Sequence, residues 1–520
     1  MILSHFAFPV GQTACQDLYY RGEAQIISGN KLQIKNGKKI EFNTYFNGFF
    51  YGPYTERCDI EEVILNVTVS GRIRLSAIVA GGKSEKWVLA ELCVVGNCDS
   101  VVVTRCRLED LPVEGVLYLE AEALSEAACI HAGTIETERK TTEPVKVAAI
   151  VCTYKREKYV YRNIEKVQRE IWDCKGNPIQ KELDFFIVDN GQTLSMAPKD
   201  HVTLFYNKNY GGSGGFTRGL IEAYRRRDAY THVLLMDDDI AFETESLFRT
   251  IQFLKLLRQR EKPVVIGGQM LMEDRPYLQY ASGSRYINGR ASTCGENIDL
   301  SKVENLLPNM RKSPAQFNAW WYCCFPLSVI DRIGLPLPFF IKTDDIEYGL
   351  RMDAELVLLN GVGVWHMPFT NKYSPHLEYY IKRNELITSA VHNNGAGVGN
   401  SVYKLVRSFV KSILRREPII TDYVLMAYRD FMEGPEFLLR LDEEQQNEYL
   451  LKIKKGDYPG TVKGAVRNLA ALFSTMAALV RSYKRVQEEY KWRIKELTSF
   501  LFWCDHLDIP PVEGLGCEKR

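Results

Sequence analysis

The hydrophobic pattern changes at Val145, and that change restricts the folds open to the chain. KVAAIVCTY is a near-continuous apolar run, the pattern of a parallel strand covered on both faces. LDFFIVDNG and THVLLMDDD repeat it, His201 to Tyr206 is a shorter version, and PVVIGG is a further one. Between these runs lie helix-like stretches from Lys158 to Trp172, Phe216 to Arg227 and Leu247 to Arg258. Strands alternating with helices over residues 145–270 predict an α/β sheet with right-handed crossovers. Ligands of such sheets sit beyond the carboxyl ends of the strands. Thr153, Asp189 and the run Asp237–Asp239 fall at those ends.

The flanks follow other patterns. Ile60 to Val69, Arg72 to Val79 and Trp87 to Val95 are short and β-branched, with Gly71, Gly81-Gly82 and Gly96-Asn97 between them, and Gly115 to Glu120 supplies a further strand. This predicts an N-terminal β-sandwich domain over residues 1–140. His131 to Glu143 reads as a polar linker ahead of Pro144. The central α/β domain spans residues 145–395, and residues 396–520 form a helical domain. In the latter, Val402, Leu405, Val406, Phe409, Val410 and Ile413 make an apolar stripe, backed by Lys404, Arg407, Lys411, Arg415 and Arg416. That helix either lies on an anionic bilayer or packs in a bundle. A second stripe runs through Tyr483, Val486, Tyr490, Ile494 and Leu497.

Composition excludes several classes. Sixty-six Lys and Arg face 65 Asp and Glu, a formal net charge of +1, so coating nucleic acid is not the main task. A 46% hydrophobic share excludes disorder over most of the length. Thirteen cysteines, an odd number, with no secretory leader at the start, predict a reducing, cytoplasmic setting. No run of 18 apolar residues is present, so no spanning helix is expected.

The chemistry concentrates in acidic clusters. Extended backbone puts Asp237 and Asp239 on one side and Asp238 on the other. Clustered carboxylates repel and need neutralising. A Mg2+ or Mn2+ ion would do so, whereas the alternative is an acidic cap on the next helix. NKNYGGSGGFTRG is either a flexible loop or a phosphate-approaching one, and it is neither a P-loop nor GxGxxG. Asp344 and Asp345 form a second acidic pair at a helix start, where one cap would suffice. His366 follows an apolar stretch and is either structural or a third metal ligand. Trp320 and Trp321 either line a sugar site or pack in the core. Cys323 and Cys324 lack the companions a zinc site needs. Tyr45, Phe46, Phe49, Phe50 and Tyr51 are either glycan contacts or core.

In their order, CTYKR, FFIVDNG, NYGGSGGF, LLMDDDI, VIGGQM, FNAWW, LPFFIKTDDIEYGLR and GVWHMPF resemble the family 2 inverting glycosyltransferases of GT-A fold. More narrowly, the chain is similar to the bacterial galactofuranosyltransferases that build the mycobacterial galactan. The motifs span residues 145–370, and the flanking domains fit the same layout. The resemblance implies inverting transfer of galactofuranose from UDP-galactofuranose to a glycan or glycolipid acceptor, assisted by Mn2+ or Mg2+. It places Thr153, Arg156, Asp189, Asn209, Gly211, Gly212, Gly214, Gly215 and Asp238 at the donor, and Trp320 and Trp321 at the acceptor. It makes Asp237, Asp239 and His366 the metal ligands, Asp345 the general base and Asp344 its acceptor-holding neighbour. It also implies self-association and peripheral contact with the inner face of the membrane, with no nucleic-acid partner. Thr343, where relatives carry Trp, and TYKR in place of TFNR are departures. They leave open another donor, such as a dTDP-rhamnose, and a non-catalytic glycan-binding scaffold is the alternative of a different class.

Overall fold

The computed structural model describes residues 1–9, 15–27, 31–82, 85–139, 144–197, 199–368, 373–392, 397–415, 417–453 and 462–513. Residues 140–143 of the expected linker and Arg416 of the basic helix lie outside them. The central region is a mixed α/β sheet of ten strands. The Val147–Thr153 strand lies between Leu183–Asp189 and His232–Asp237, parallel to both, and Val202–Tyr206 extends the parallel edge. Register levels the strand ends, with Thr153 opposite Asp189 and Cys152 opposite Asp237. The polar ends of three apolar runs are therefore brought to one rim.

Beyond His232–Asp237 the sheet departs from the expected repeat. Tyr322–Pro326 enters antiparallel and separates that strand from Val264–Met272. An apolar run carries no information about direction, so the sequence pattern does not reveal this insertion. Glu355–His366 then pairs parallel to Val264–Met272, with Met272 opposite His366. The short strand Ala241–Phe242 pairs antiparallel with Trp365 and Val364. Those two pairings carry His366 back to the aspartate run, more than a hundred residues away in sequence.

Residues 2–136 form ten strands joined in one antiparallel hydrogen-bonded sheet, rather than strands divided between two separate sheets. The expected breaks at Gly71 and Gly96 are absent: Glu62–Gly81 and Lys86–Arg107 are single strands of 20 and 22 residues. Gly71 continues the strand in a left-handed conformation instead, opposite Gly96. It adopts φ +77°, and a Cβ there would lie 2.5 Å from the Ala127 carbonyl. The polar linker is also shorter than expected, because Cys129–Glu136 is a strand of this sheet.

One hydrophobic cluster runs from Leu3 through both sheets to Val364. Tyr45, Phe46, Phe49, Phe50 and Tyr51 are all buried in it. Core packing, rather than glycan contact, is thus the role the fold gives that aromatic segment. Phe46 stacks 5.7 Å from Trp365, the neighbour of His366. Residues 377–506 are mainly helices, among them Leu377–His392, Val398–Leu414, Pro418–Met432 and the 36-residue Val462–Leu497. Among the described residues no helix is long and apolar enough to cross a membrane.

The helix Gly211–Tyr224 docks directly on the Val147–Thr153 strand because two of its glycines lack a side chain. A Cβ on Gly219 would lie 2.2 Å from Ile150 Cγ2, and one on Gly215 would lie 2.1 Å from Cys152 Sγ. We expect Gly219→Ala to destabilise the fold. Overpacking of about 1–3 kcal/mol exceeds the roughly 1 kcal/mol that alanine adds to helix propensity. A urea midpoint at or above that of the wild type would contradict the close contact.

Candidate active site

Asp237 ends its strand, and Asp238 and Asp239 form the following turn. His366, 2% exposed, brings Nε2 to 3.2 Å from Asp239 Oδ1 and 4.0 Å from Asp237 Oδ2. One ligand atom from each of the three lies within 4.8 Å of the others, a spacing that fits a single cation. Two carboxylates and an imidazole form a donor set suited to Mn2+ and usable by Mg2+.

Asp238, in the turn, takes partners of its own. It accepts a 2.7 Å hydrogen bond from Thr153 Oγ1 and pairs with Arg156 Nη1 at 3.4 Å. Burial pushes its carboxyl up to about 6, against the pull of Thr153 and Arg156. Arg156 Nη1 also contacts Asp239. The guanidinium thus neutralises the turn that carries a potential metal ligand, and Asn163 fixes the same turn through the Asp238 and Ile240 carbonyls.

Asp344 and Asp345 open the Asp344–Met352 helix and are half-buried. Both carboxyls are held above the usual carboxylate range. Burial is the main cause, reinforced for Asp344 by Asp345 and for Asp345 by Asp237. The charge of Asp237 therefore reaches Asp345, which brings the two acidic clusters into one electrostatic site. Asp344 also borders the helix Gly211–Tyr224, since a Cβ on Gly212 would lie 3.7 Å from its Oδ2.

The loop before this pair is strained and firmly held. Phe340, Lys342 and Thr343 have φ of 66°, 68° and 71°, a left-handed region that such residues rarely adopt. Asn384 Nδ2 donates to the carbonyls of Phe339, Ile341 and Lys342 at 3.3, 3.0 and 2.8 Å. Arg383, fully buried, donates to Phe339 O at 3.0 Å and to Tyr379 Oη at 3.2 Å. Rings of Tyr379, Tyr380 and Phe437 surround its guanidinium. Sequence reasoning passed over Arg383 and Asn384. Adjacent polar residues inside a helical stretch announce nothing until the fold sets a strained loop against them.

The remaining expected residues take varied positions. Asp189 is 0% exposed and accepts from the amides of Gly191, Thr193 and Leu194 at 2.7–2.9 Å, so it shapes the loop after its strand. Asn209 Oδ1 accepts from Gly211 N at 3.2 Å. The expected glycine loop is largely the first turns of a helix. Gly211 has φ +66°, and a Cβ on it would lie 2.1 Å from Phe340 O, while one on Gly214 would lie 2.3 Å from Tyr210 Cβ. Close packing therefore accounts for Gly211, Gly214 and Gly215. Trp320 and Trp321 are each 4% exposed. Trp321 donates to Gly268 O at 2.8 Å, and Trp320 packs edge-on against Phe216 and Tyr348. Neither forms an open sugar platform, because both rings lie within hydrophobic clusters. The indole N–H of Trp320 is buried without a protein partner.

Two proteins of known name are similar to the chain over most of its length. Galactofuranosyltransferase GlfT2 of Mycolicibacterium smegmatis is 25% identical over 464 residues, 83% of this chain and 69% of that one. Galactofuranosyltransferase GlfT2 of Mycobacterium tuberculosis is 26% identical over 471 residues, 83% and 70% of the respective chains. The solved mannosyltransferase PcManGT from Pyrobaculum calidifontis, in complex with GDP-Man and Mn2+, aligns at 11% identity and a TM-score of 0.30, over 69% of this chain and 91% of that one. That likeness is too slight to carry an argument. No family model matches the chain. The expected resemblance to galactofuranosyltransferases, and with it an enzyme of the glycosyltransferase class, is borne out by the two mycobacterial relatives.

Two outcomes follow from this geometry. Carboxyls raised in the folded state add stability that is complete below their unfolded value of about 3.9 and is lost as pH rises toward neutral. The contribution of these two carboxyls to metal-free stability should therefore fall between acid and neutral pH, and Asp344→Asn should gain stability relative to the wild type over that range in urea unfolding. A difference that stays constant with pH would contradict the raised carboxyl. Separately, Asn384→Ala strands three loop carbonyls and should lower stability by about 1–3 kcal/mol, read as a shifted urea midpoint.

Proposed function

We propose that this chain transfers galactofuranose from UDP-galactofuranose to a hydroxyl of a glycan or glycolipid acceptor, with inversion and with help from a divalent cation. The observation that carries this reading is the convergence of Asp237, Asp239 and His366, electrostatically linked to the Asp344–Asp345 pair. The mycobacterial relatives support the donor sugar. The GT-A assignment of the central α/β region, with a β-rich N-terminal domain and a helical C-terminal domain, belongs to the same proposal.

Asp237, Asp239 and His366 would hold Mn2+ or Mg2+, which when bound supplies positive charge to a departing diphosphate. Thr153 and Arg156 hold Asp238 aside, so that the two outer aspartates stay aimed at one point. Asp345 takes the proton of the acceptor hydroxyl as that oxygen attacks the anomeric carbon. Its raised pKa suits the task, since a base works best when its pKa lies near the working pH. Asp344, raised by burial and by Asp345, orients the acceptor. Inversion needs one displacement and no enzyme nucleophile. Asp189 and Asn209 act by setting the loops that meet the nucleotide, with Gly212 as the loop glycine whose missing side chain leaves room beside Asp344. A peripheral place on the inner membrane face and self-association complete the reading.

Incubation with a panel of UDP- and dTDP-sugars and synthetic acceptors, with products read by mass spectrometry, tests the donor. Transfer from UDP-galactofuranose is expected. Transfer only from a dTDP-sugar would replace the donor, and no transfer from any sugar would remove the enzyme reading. Asp345→Asn should lower kcat at least about 10²-fold while leaving donor binding in place. Asp239→Ala should weaken UDP binding measured calorimetrically with Mn2+, and have little effect on binding measured without it.

A further inference from the structure

The basic helix Val398–Leu414 does not present its charges as a plain outer face. Lys404, Arg407 and Lys411 line a cavity of about 270 Å³, with Arg415 just beyond the helix, Lys382 from the helix Leu377–His392 and Arg290 from a β-hairpin. Six cations thus converge on one hollow in a chain whose net charge is +1. Glu378 and Glu385 also line it, with Glu385 paired to Lys382 at 3.1 Å and Glu378 accepting from Tyr373 Oη at 3.2 Å. Among the described residues Arg290, Arg407, Lys411 and Arg415 form no salt bridge. Six cations thus face two carboxylates, and the cavity keeps a positive excess.

The cavity is also built rather than incidental. Lys404 is only 8% exposed, contrary to its expected place on the outer basic side of the helix. Its Nζ donates to Gly289 O at 2.5 Å. Gly289 has φ +71°, and a Cβ there would lie 2.3 Å from that Nζ, so the hairpin turn admits the ammonium only because the residue is glycine. Asn400 Nδ2 ties the same turn down through Asn288 O at 3.1 Å. Burial lowers the Lys404 pKa, and a bound anion would oppose that. On the same helix Tyr403, Val410, Ile413 and Leu414 are exposed.

We propose that this cavity is a binding site for a phosphate-bearing group, separate from the aspartate–histidine cluster. Several convergent guanidinium and ammonium groups suit the multiple charge and many acceptor oxygens of a phosphoryl or diphosphoryl ligand. The volume holds one such group and not an extended polyanion. Such a group could be the headgroup of an anionic lipid or a soluble phosphate ester, and the two are separated by experiment.

Two probes separate the sources, both with EDTA present so that the metal-dependent cleft does not contribute. Calorimetry with pyrophosphate tests a soluble ligand, and flotation with phosphatidylglycerol vesicles, against phosphatidylcholine vesicles, tests a lipid headgroup. The variants are Arg407→Gln/Lys411→Gln and, from the opposite wall, Arg290→Gln. Lys175→Gln/Lys312→Gln, on exposed residues away from the cavity, removes the same charge as the double variant. At least one probe should bind the wild type, weaken at least about tenfold in the double variant, weaken in Arg290→Gln, and bind normally in the control. Binding of pyrophosphate would identify a soluble phosphate ligand, and binding of anionic vesicles alone a lipid headgroup. Failure of both probes on the wild type, or equal loss in the control, would overturn the proposal. Because the readout is binding without turnover, its failure leaves the transferase reading untouched.

Discussion

Repulsion among five aspartates is the constraint around which the central region is organised. Asp237, Asp238, Asp239, Asp344 and Asp345 share one rim of the sheet, partly withdrawn from water. Left alone, such an arrangement would be strongly unfavourable. The fold answers it piecemeal. Thr153 and Arg156 take Asp238, Arg156 and His366 take Asp239, and Asp344 and Asp345 respond by holding protons more tightly. The remaining imbalance suits a cation and an acidic acceptor proton, so the chemistry proposed follows from the same electrostatic tension that makes the site costly.

Support for this rim comes from both flanks. The N-terminal sheet shares its core with the central one, and Phe46 packs on Trp365 beside the potential metal ligand. His5 and Arg249 are joined to Glu245, which ties the first strand to the helix following the aspartate run. On the opposite side Arg383 and Asn384 hold the left-handed loop ahead of Asp344. The potential metal ligands and the potential base are thus braced from different parts of the chain, which favours a fixed distance between them.

How much of this was legible in the sequence depends on how local the governing physics was. The parallel strands were readable because burial on both faces writes a continuous apolar run. The separate place of Asp238 was expected from alternation along extended backbone, whereas the structure puts it in a turn and sets it apart by its bond from Thr153. His366 and the Asp344–Asp345 pair were readable only as candidates, since what unites them is pairing between distant strands. The antiparallel entry of Tyr322–Pro326, the continuity of Glu62–Gly81 through Gly71, and the burial of Lys404 were not readable. Each depends on a partner remote in sequence: a neighbouring strand, the Ala127 carbonyl, and the Gly289 turn. The glycines of NYGGSGGF misled for a related reason, because absence of a side chain serves close packing as readily as ligand approach.

The contact between Gly215 and Cys152 carries a chemical consequence. Cys152 lies next to the acidic rim, a position where a reactive thiol would be expected to interfere. Burial and the charges of Asp238, Asp237, Asp344 and Asp189 all push its pKa well above the ordinary thiol range, so the nucleophilic thiolate is scarcely formed. The sulfur also occupies the hollow left by a missing methyl group. The enzyme thereby keeps a sulfhydryl beside its acidic rim in the protonated, weakly nucleophilic form.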